Sequence, residues 1–403
     1  LKRSSSSSTM DSDQMQSAST SSMALRQLID NQLYSFIYGK WRLDYYNKSN
    51  RYHKNAPLWL LGQPYFTTRS DDEALFSEYL LDYYSRIWLT YRTKLSPLPD
   101  SNKTSDCGWG CTLRTCQMML AQTLTQIWLG RDWRFSGDKE RNVLINGVSH
   151  YEIVSLFGDS VGCELGLYRL MSIANGSSSH QRAVGSWFSP SNAFALISEC
   201  SLLHSLRIYS VNDGMLIESE VDELSNQFRI PILVIVHLQL GCASTVNQCY
   251  HQHLIKFFSM QNSVGIIGGH KRRSLYFIGS YNNDSLIYLD PHIAHEAMPA
   301  EQIPQQCNQF HCNKFTKMSV DQIEPGCSLG FVVLSRLHYR SSIDFLVSVR
   351  FTRIIDVCAD DRKSANQQPL FVAYSSRPEL VNARSDVSSV SSSTAAQLGF
   401  ELI

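Results

Sequence analysis

Gly108-Trp109-Gly110 stands immediately before Cys111, and from that cysteine onward the chain reads as a helix. Apolar residues at Leu113, Cys116, Leu120, Leu124, Ile127 and Trp128 recur at helical spacing. Glycine loses more backbone freedom on folding than any other residue, so this pair marks a sharp turn or a close approach. A helix that begins at Cys111 sets its sulfur beside unpaired N–H groups and the positive end of the helix dipole. That position stabilises a thiolate and draws a cysteine pKa below its usual ~8.5. The junction therefore demands a core helix whose first residue is a candidate nucleophile.

A nucleophilic cysteine needs a base and a group to orient that base. Among twelve histidines, His292 has the most informative setting, in Leu286-Ile287-Tyr288-Leu289-Asp290-Pro291-His292. In extended backbone, residues two apart project to the same side, so Asp290 and His292 point together. Pro291 between them fixes φ. A carboxylate beside an imidazole selects its tautomer and stabilises the imidazolium.

The chain has 403 residues, with 36 acidic and 36 basic side chains. That balance leaves no basic stripe for nucleic acid. The longest apolar run, 230–240, is broken by Pro231, His237 and Gln239 and is far short of the ~20 residues of a membrane span. It reads as a buried strand. Leu1-Lys2-Arg3 leads into serines, with no apolar leader segment. Eleven cysteines without paired spacing suit free thiols in a reducing compartment. These features together predict a soluble, cytoplasmic protein.

Three regions follow from texture. Residues 1–26 are a disordered serine-rich tail, 27–360 the folded domain, and 361–403 a second disordered tail. Within the domain, 27–52 predicts a helix and an aromatic connector, and 57–62 a short strand with a turn. Asp71-Asp72-Glu73 opens a helix through Trp88 that delivers Tyr91 and Arg92 to the loop before Cys111. Helices are expected near 149–157, 164–173 and 190–203. After Ser205 short β-branched and aromatic runs predict strands at 206–209, 232–238, 264–267, 275–281, 286–289 and 331–334. Helices first and strands later point to an α+β fold.

Several motifs together carry a resemblance. Ser105 to Arg114 with Gln117-Met118 resembles the nucleophile signature of the autophagins, the autophagy-related cysteine endopeptidases, and Leu286 to His292 is similar to their second signature. Further matches in the same order are Trp59 to Gly62, Arg86 to Arg92, Leu129 to Trp133, Val264 to Gly269 and Tyr276 to Gly279, covering about 57–340. Asp106-Cys107 and Thr112 to Thr115 are similar to the C- and D-type paralogues.

The resemblance implies a papain-like cysteine protease fold with an antiparallel sheet, a central cysteine helix and a small additional lobe. It implies Cys111 as nucleophile, His292 as general base and acid, Asp290 as its orienter and Tyr91 as an oxyanion-hole hydroxyl alongside the Cys111 N–H. Trp187 would lie over the substrate glycine, and the residues themselves add a slot walled by Trp109 and its glycines that admits only a thin chain. That substrate would be a GABARAP-type ubiquitin-like modifier cut after its C-terminal glycine, both as precursor and as the phosphatidylethanolamine conjugate, by a monomer without cofactor. The segment Phe258 to Ser263 lacks the proline common in the family, and Cys116 stands where glycine is common.

Two composition-based rivals are weaker. Cys307, His311 and Cys312, with Cys327 beyond, fall short of the four ligands in recognisable pairs that structural zinc takes. Gly265 and Gly268-Gly269 are followed by no predicted helix to receive phosphate and read as a hairpin turn. A catalytically quiet modifier-binding protein and a deubiquitinase on the same fold are the functional alternatives. At the far end, Phe400-x-x-Ile403 resembles the aromatic-x-x-aliphatic motif by which partners add a strand to GABARAP-type proteins.

Overall fold

In the computed structural model the described residues are 56–65, 73–135, 137, 144–176, 184–200, 205–355 and 370–377. The expected elements of 1–26 and 27–52, the segment 378–403 and with it Phe400 and Ile403 lie outside them.

The strands are β1 (Leu58–Leu60), β2 (Gln63–Pro64), β3 (Tyr91–Thr93), β4 (Arg207–Val211), β5 (Met215–Ile217), β6 (Ile232–Gln239) and β7 (Ser263–His270). After them come β8 (Arg273–Tyr281), β9 (Ser285–Leu289), β10 (Ala294–Glu296), β11 (Lys317–Ser319), β12 (Gly326–Val333), β13 (Thr352–Ile355) and β14 (Phe371–Tyr374). The main sheet has the order β11-β9-β8-β7-β12-β6-β4, with β1 and β2 attached through β8.

Among the described strands of this sheet every pairing is antiparallel except β4–β6, which is parallel. The expected antiparallel sheet is thus mixed. The helix Glu218–Leu224 lies between β4 and β6 and returns the chain in the same direction.

Both faces of the sheet are buried, which explains the nearly unbroken apolar run of β6. Alternate side chains serve opposite faces. Leu233 and Ile235 join the core under the helix Cys111–Trp128, while Ile232, Val234 and Val236 join the second core with Leu254, Phe257 and Leu346. The cysteine helix lies against β7 and β8. Gly330 lets it approach, since a Cβ there would come within 2.5 Å of the Met119 sulfur.

Two expectations need correction. The helix opening near Asp71 is Glu73–Tyr84 and stops short of Trp88. Past it Ile87 pairs with His311, and Tyr91 begins β3, parallel to β10 with Tyr91 opposite Ala294. Tyr91 is therefore positioned by strand pairing rather than by a helix end. Second, the segment expected as a disordered tail contributes β14, which runs parallel to both β13 and β5. Phe371 and Ala373 of β14 are buried against the second core.

Candidate active site

The cysteine helix begins at Cys111, with Gly110 in the N-cap position and no side-chain cap. Its first N–H groups are thus left for the sulfur and for a substrate oxygen. Gly110 is required because a Cβ there would strike the Asp106 side chain, and Gly108 turns the chain at φ 83°. Cys111 packs with Tyr91 and Cys107 in a small buried cluster.

His292 follows β9 and is hydrogen-bonded to Cys111. Its Nδ1–H donates to Asp290 Oδ1 at 2.7 Å, and its backbone N–H donates to the same oxygen at 2.9 Å. A carboxylate only accepts, so the tautomer is fixed with Nε2 left for the sulfur. The Asp290-Pro291 segment is itself held: Trp88 Nε1–H donates to the Asp290 carbonyl at 2.8 Å, and the Tyr91 N–H to the Pro291 carbonyl at 2.9 Å. The Tyr91 ring meets the His292 ring edge-on at 5.3 Å.

Burial by itself would raise the Cys111 pKa. The hydrogen bond and charge of His292, the Ser274 backbone N–H and the Tyr91 hydroxyl outweigh it and lower the thiol. Burial would likewise lower His292, but the hydrogen bonds to Asp290 and Cys111 and their charges raise it to about 9. Both directions favour one state, a thiolate–imidazolium pair. The neighbouring thiols go the other way, with Cys107 pushed up to about 12 by burial and Asp106, and Cys116 raised by burial. Only one of three clustered cysteines is therefore activated.

Next to the site, on the side of Thr112 and Ser274, lies a cleft of about 570 Å³ whose walls also include Trp187, His237 and Gly268. Of the two tryptophans expected at the substrate, Trp187 is 53% exposed on this cleft. Trp109 instead turns inward, buried in the main core with its indole N–H donated to the Ser105 carbonyl at 3.1 Å. The flanking glycines permit that inward turn. Phe258, Met260 and Asn262 are buried, and the Asn262 amide donates to the Val332 carbonyl at 2.7 Å, so that segment is core. The glycines Gly265, Gly268 and Gly269 lie in β7, and the hairpin turn falls after them, at Lys271-Arg272. No helix follows that turn, since β8 begins at once.

Sequence reasoning missed Ser274, Trp88 and a buried charge network. Ser274 and Trp88 act through a main-chain amide and a ring N–H to a carbonyl, contacts that residue type does not advertise. The network joins Arg92 to Asp159 at 3.0 Å and Arg114 to Asp106 at 2.7 Å and to Asp159 at 3.6 Å.

The candidate zinc ligands separate. His311 and Cys307 gather with His150, their ligand atoms within 4.8 Å of one another, rather than with Cys312 and Cys327. Hydrogen bonds account for the two imidazoles. His311 Nδ1–H donates to the Tyr84 carbonyl at 2.8 Å, so its Nε2 accepts from His150 Nε2–H at 3.0 Å. Burial lowers both pKa values, keeping the rings neutral. His150 stacks on Trp133 and His311 on Phe135. The cluster is an aromatic core contact with three donors, short of the four of a structural zinc site.

The chain is similar to known proteins along most of its described length. The peptidase C54 catalytic domain matches residues 76–344. Cysteine protease atg-4.2 of Caenorhabditis elegans is 33% identical over 395 residues, covering 89% of this chain and 74% of its own. Cysteine protease ATG4D of Xenopus laevis is 29% identical over 349 residues, covering 74% of this chain and 73% of its own. Cysteine protease ATG4C of Homo sapiens is 30% identical over 357 residues, covering 70% and 77%.

Proposed function

Because the chain belongs to the peptidase C54 family, the autophagins, and is a cysteine protease, we propose that it cuts after the C-terminal glycine of a GABARAP-type ubiquitin-like modifier. It acts as a cytoplasmic monomer on two bonds, the peptide bond of the precursor and the amide to phosphatidylethanolamine in the conjugate. The observation that carries the reading is the Cys111–His292–Asp290 array, beside a cleft lined by Thr112, Ser274, Gly268 and Trp187. A cleft with a glycine in its wall admits a thin chain, which suits a scissile glycine.

The Cys111 thiolate attacks the glycine carbonyl carbon. The carbonyl oxygen takes the negative charge and is held by the Tyr91 hydroxyl and the Cys111 N–H. His292, protonated, gives its proton to the leaving nitrogen, whether of a peptide or of the lipid headgroup, and a thioester to Cys111 remains. Neutral His292 then draws a proton from water, which attacks the thioester and frees the glycine carboxylate. Asp290 keeps one ring orientation through both steps.

Phe400 and Ile403 would bind the same modifier through an added strand, raising its local concentration at the active site. Among the described residues no helix is long and apolar enough to cross a membrane, consistent with reaching the membrane through the lipidated substrate.

The test is to offer modifier precursor, lipidated modifier and ubiquitin side by side, with Cys111→Ala as control. Cleavage of both modifier forms and not of ubiquitin is expected. Preferential cleavage of ubiquitin would overturn the substrate assignment. Removing Phe400 and Ile403 should weaken modifier binding to the Cys111→Ala protein without slowing cleavage of a short peptide, and unchanged affinity would remove the tail from the proposal.

A further inference from the structure

The cysteine helix holds four threonines, Thr112, Thr115, Thr123 and Thr125. The last three donate their hydroxyls to carbonyls three or four residues back, at 2.8–2.9 Å. Thr112, in the first turn, has no preceding turn to bond. It is fully buried and lines the cleft, and among the described residues its Oγ1 has no hydrogen-bond partner. A second such atom belongs to the same cleft. His237 Nδ1 is paired with Ser328 Oγ at 2.7 Å, while its buried Nε2 has no partner among the described residues. Burial pulls His237 down to about 4, so the ring is neutral. Buried polar groups are nearly always bonded, and each exception calls for a partner or a reason. Here two of them border one cleft beside a nucleophile.

Sheet order sets which part of a substrate lies there. On β8 the Ser274 backbone N–H reaches the Cys111 sulfur, and His292 follows β9, on one side of β8. The cleft lies on the other side, along β7, β12 and β6. As general acid His292 must stand at the leaving nitrogen. The leaving group therefore takes the β9 side, and the acyl segment crosses β7, β12 and β6. Gly269 pairs with Ser274, and Ser328 pairs with both Ile267 and His237. Ile267 faces the core under the cysteine helix, so Ser328 and His237 present that same face. From Ser274, His237 is three strand spacings of about 4.8 Å across and two residues along. That is about 16 Å, or four to five extended residues.

We infer that Thr112 and His237 hold the acyl segment of the substrate by its main chain, Thr112 beside the scissile glycine and His237 about four to five residues before it. This rests on the cut after a glycine proposed above. A peptide bond offers both an N–H and a C=O, so the contact asks nothing of the side chains in that stretch. Either tautomer of His237 finds a partner in it. Both atoms are closed off in the empty cleft. Rotamer changes at an interface are common on binding, and the Thr112 hydroxyl gives up no bond when it turns. Contacts this far from the reacting bond are equal in ground and transition states, so they act on KM.

The experiment measures wild type, Thr112→Val, His237→Asn and His237→Gln on the soluble modifier precursor. Asparagine keeps a polar atom near the Nδ1 position for Ser328 and deletes Nε2, whereas glutamine places one near Nε2. Thr112→Val and His237→Asn should each raise KM about three- to tenfold, the net worth of one hydrogen bond, with kcat little changed. His237→Gln should return most of the loss. Semisynthetic precursors then carry an ester in place of one peptide bond at a time, from about three to six residues before the glycine. One of them should cost wild type the same factor and His237→Asn nothing, as a shared contact requires. Wild-type KM in Thr112→Val and His237→Asn overturns the contacts. A KM rise that His237→Gln shares in full, or ester penalties equal in wild type and His237→Asn, makes the effect structural and also overturns them. Failure of wild type to cut the precursor at all would remove the proposed substrate first, and these contacts with it.

Discussion

One carboxylate oxygen of Asp290 accepts two hydrogen bonds from His292, the ring Nδ1–H at 2.7 Å and the backbone N–H at 2.9 Å. The pair closes a small rigid loop through Pro291. Asparagine at 290 can offer the same oxygen to both donors, so the geometry survives and the negative charge does not. Asp290→Asn should lower kcat by about 10²–10⁴-fold, the range of carboxylate-to-amide changes in triads. Retention of near-normal turnover would contradict the role given to Asp290.

The pH profile follows from the same charges. Cys111 is lowered, so thiolate is present well below the ordinary thiol range; His292 is raised to about 9, so imidazolium persists above the ordinary histidine range. The active ion pair fills the window between them. In kcat/KM against pH the basic limb should fall near 9 in the wild type and move to lower pH in Asp290→Asn, because that substitution removes the partner that raises His292. A basic limb that does not move would mean another group sets it.

Selectivity among the three clustered thiols is the next expectation. Alkylation with iodoacetamide in mildly acidic solution should modify Cys111 and spare Cys107 and Cys116, whose thiols are raised. Cys111→Ala should abolish cleavage, and Cys107→Ala should retain most of it. Loss of activity in Cys107→Ala with activity kept in Cys111→Ala would reassign the nucleophile.

Tyr91→Phe removes one hydroxyl and almost no volume. On the proposed oxyanion-hole role of Tyr91, kcat should fall by about 10²–10³-fold with KM little changed. Steady-state kinetics separate this from a packing role, in which KM would change and kcat would not.

The cysteine helix was legible because periodicity and the glycines before it both act locally. Asp290 and His292 were legible because they stand two apart around a proline, directly after β9. What the sequence hid depends on distant partners. The direction of β4 relative to β6, which makes the sheet mixed, is set by a helical return and not by strand composition. Phe371-Val372-Ala373-Tyr374 is a short alternating segment in a polar surround, and it becomes a strand only because β13 and β5 offer it edges. Trp109 was placed at the substrate by its glycines, which instead turn it into the core. Lys271 and Arg272 gave no turn signal, since the residues favoured in such a loop are Asn and Gly.

Behind the site, two arginines and two aspartates are buried together with balanced charge. Arg92 follows Tyr91 on β3, Arg114 lies one turn into the cysteine helix, and Asp106 opens the loop before Cys111. The Asp106 carboxylate accepts the Arg92 backbone N–H at 2.6 Å, while Asp159 accepts the Met298 N–H at 2.9 Å, beyond His292. The four charges thus tie together the segments that carry Tyr91, Cys111 and His292. Removing one leaves a partner charged and dry, which typically destabilises by about 3–5 kcal/mol. Asp159→Leu should lower stability by that amount in urea unfolding. Asp159→Leu with Arg92→Met removes an opposite pair and should recover part of the loss. A single-variant loss below about 1 kcal/mol, the range of a surface pair, would show that the network is solvated and does not lock the three segments.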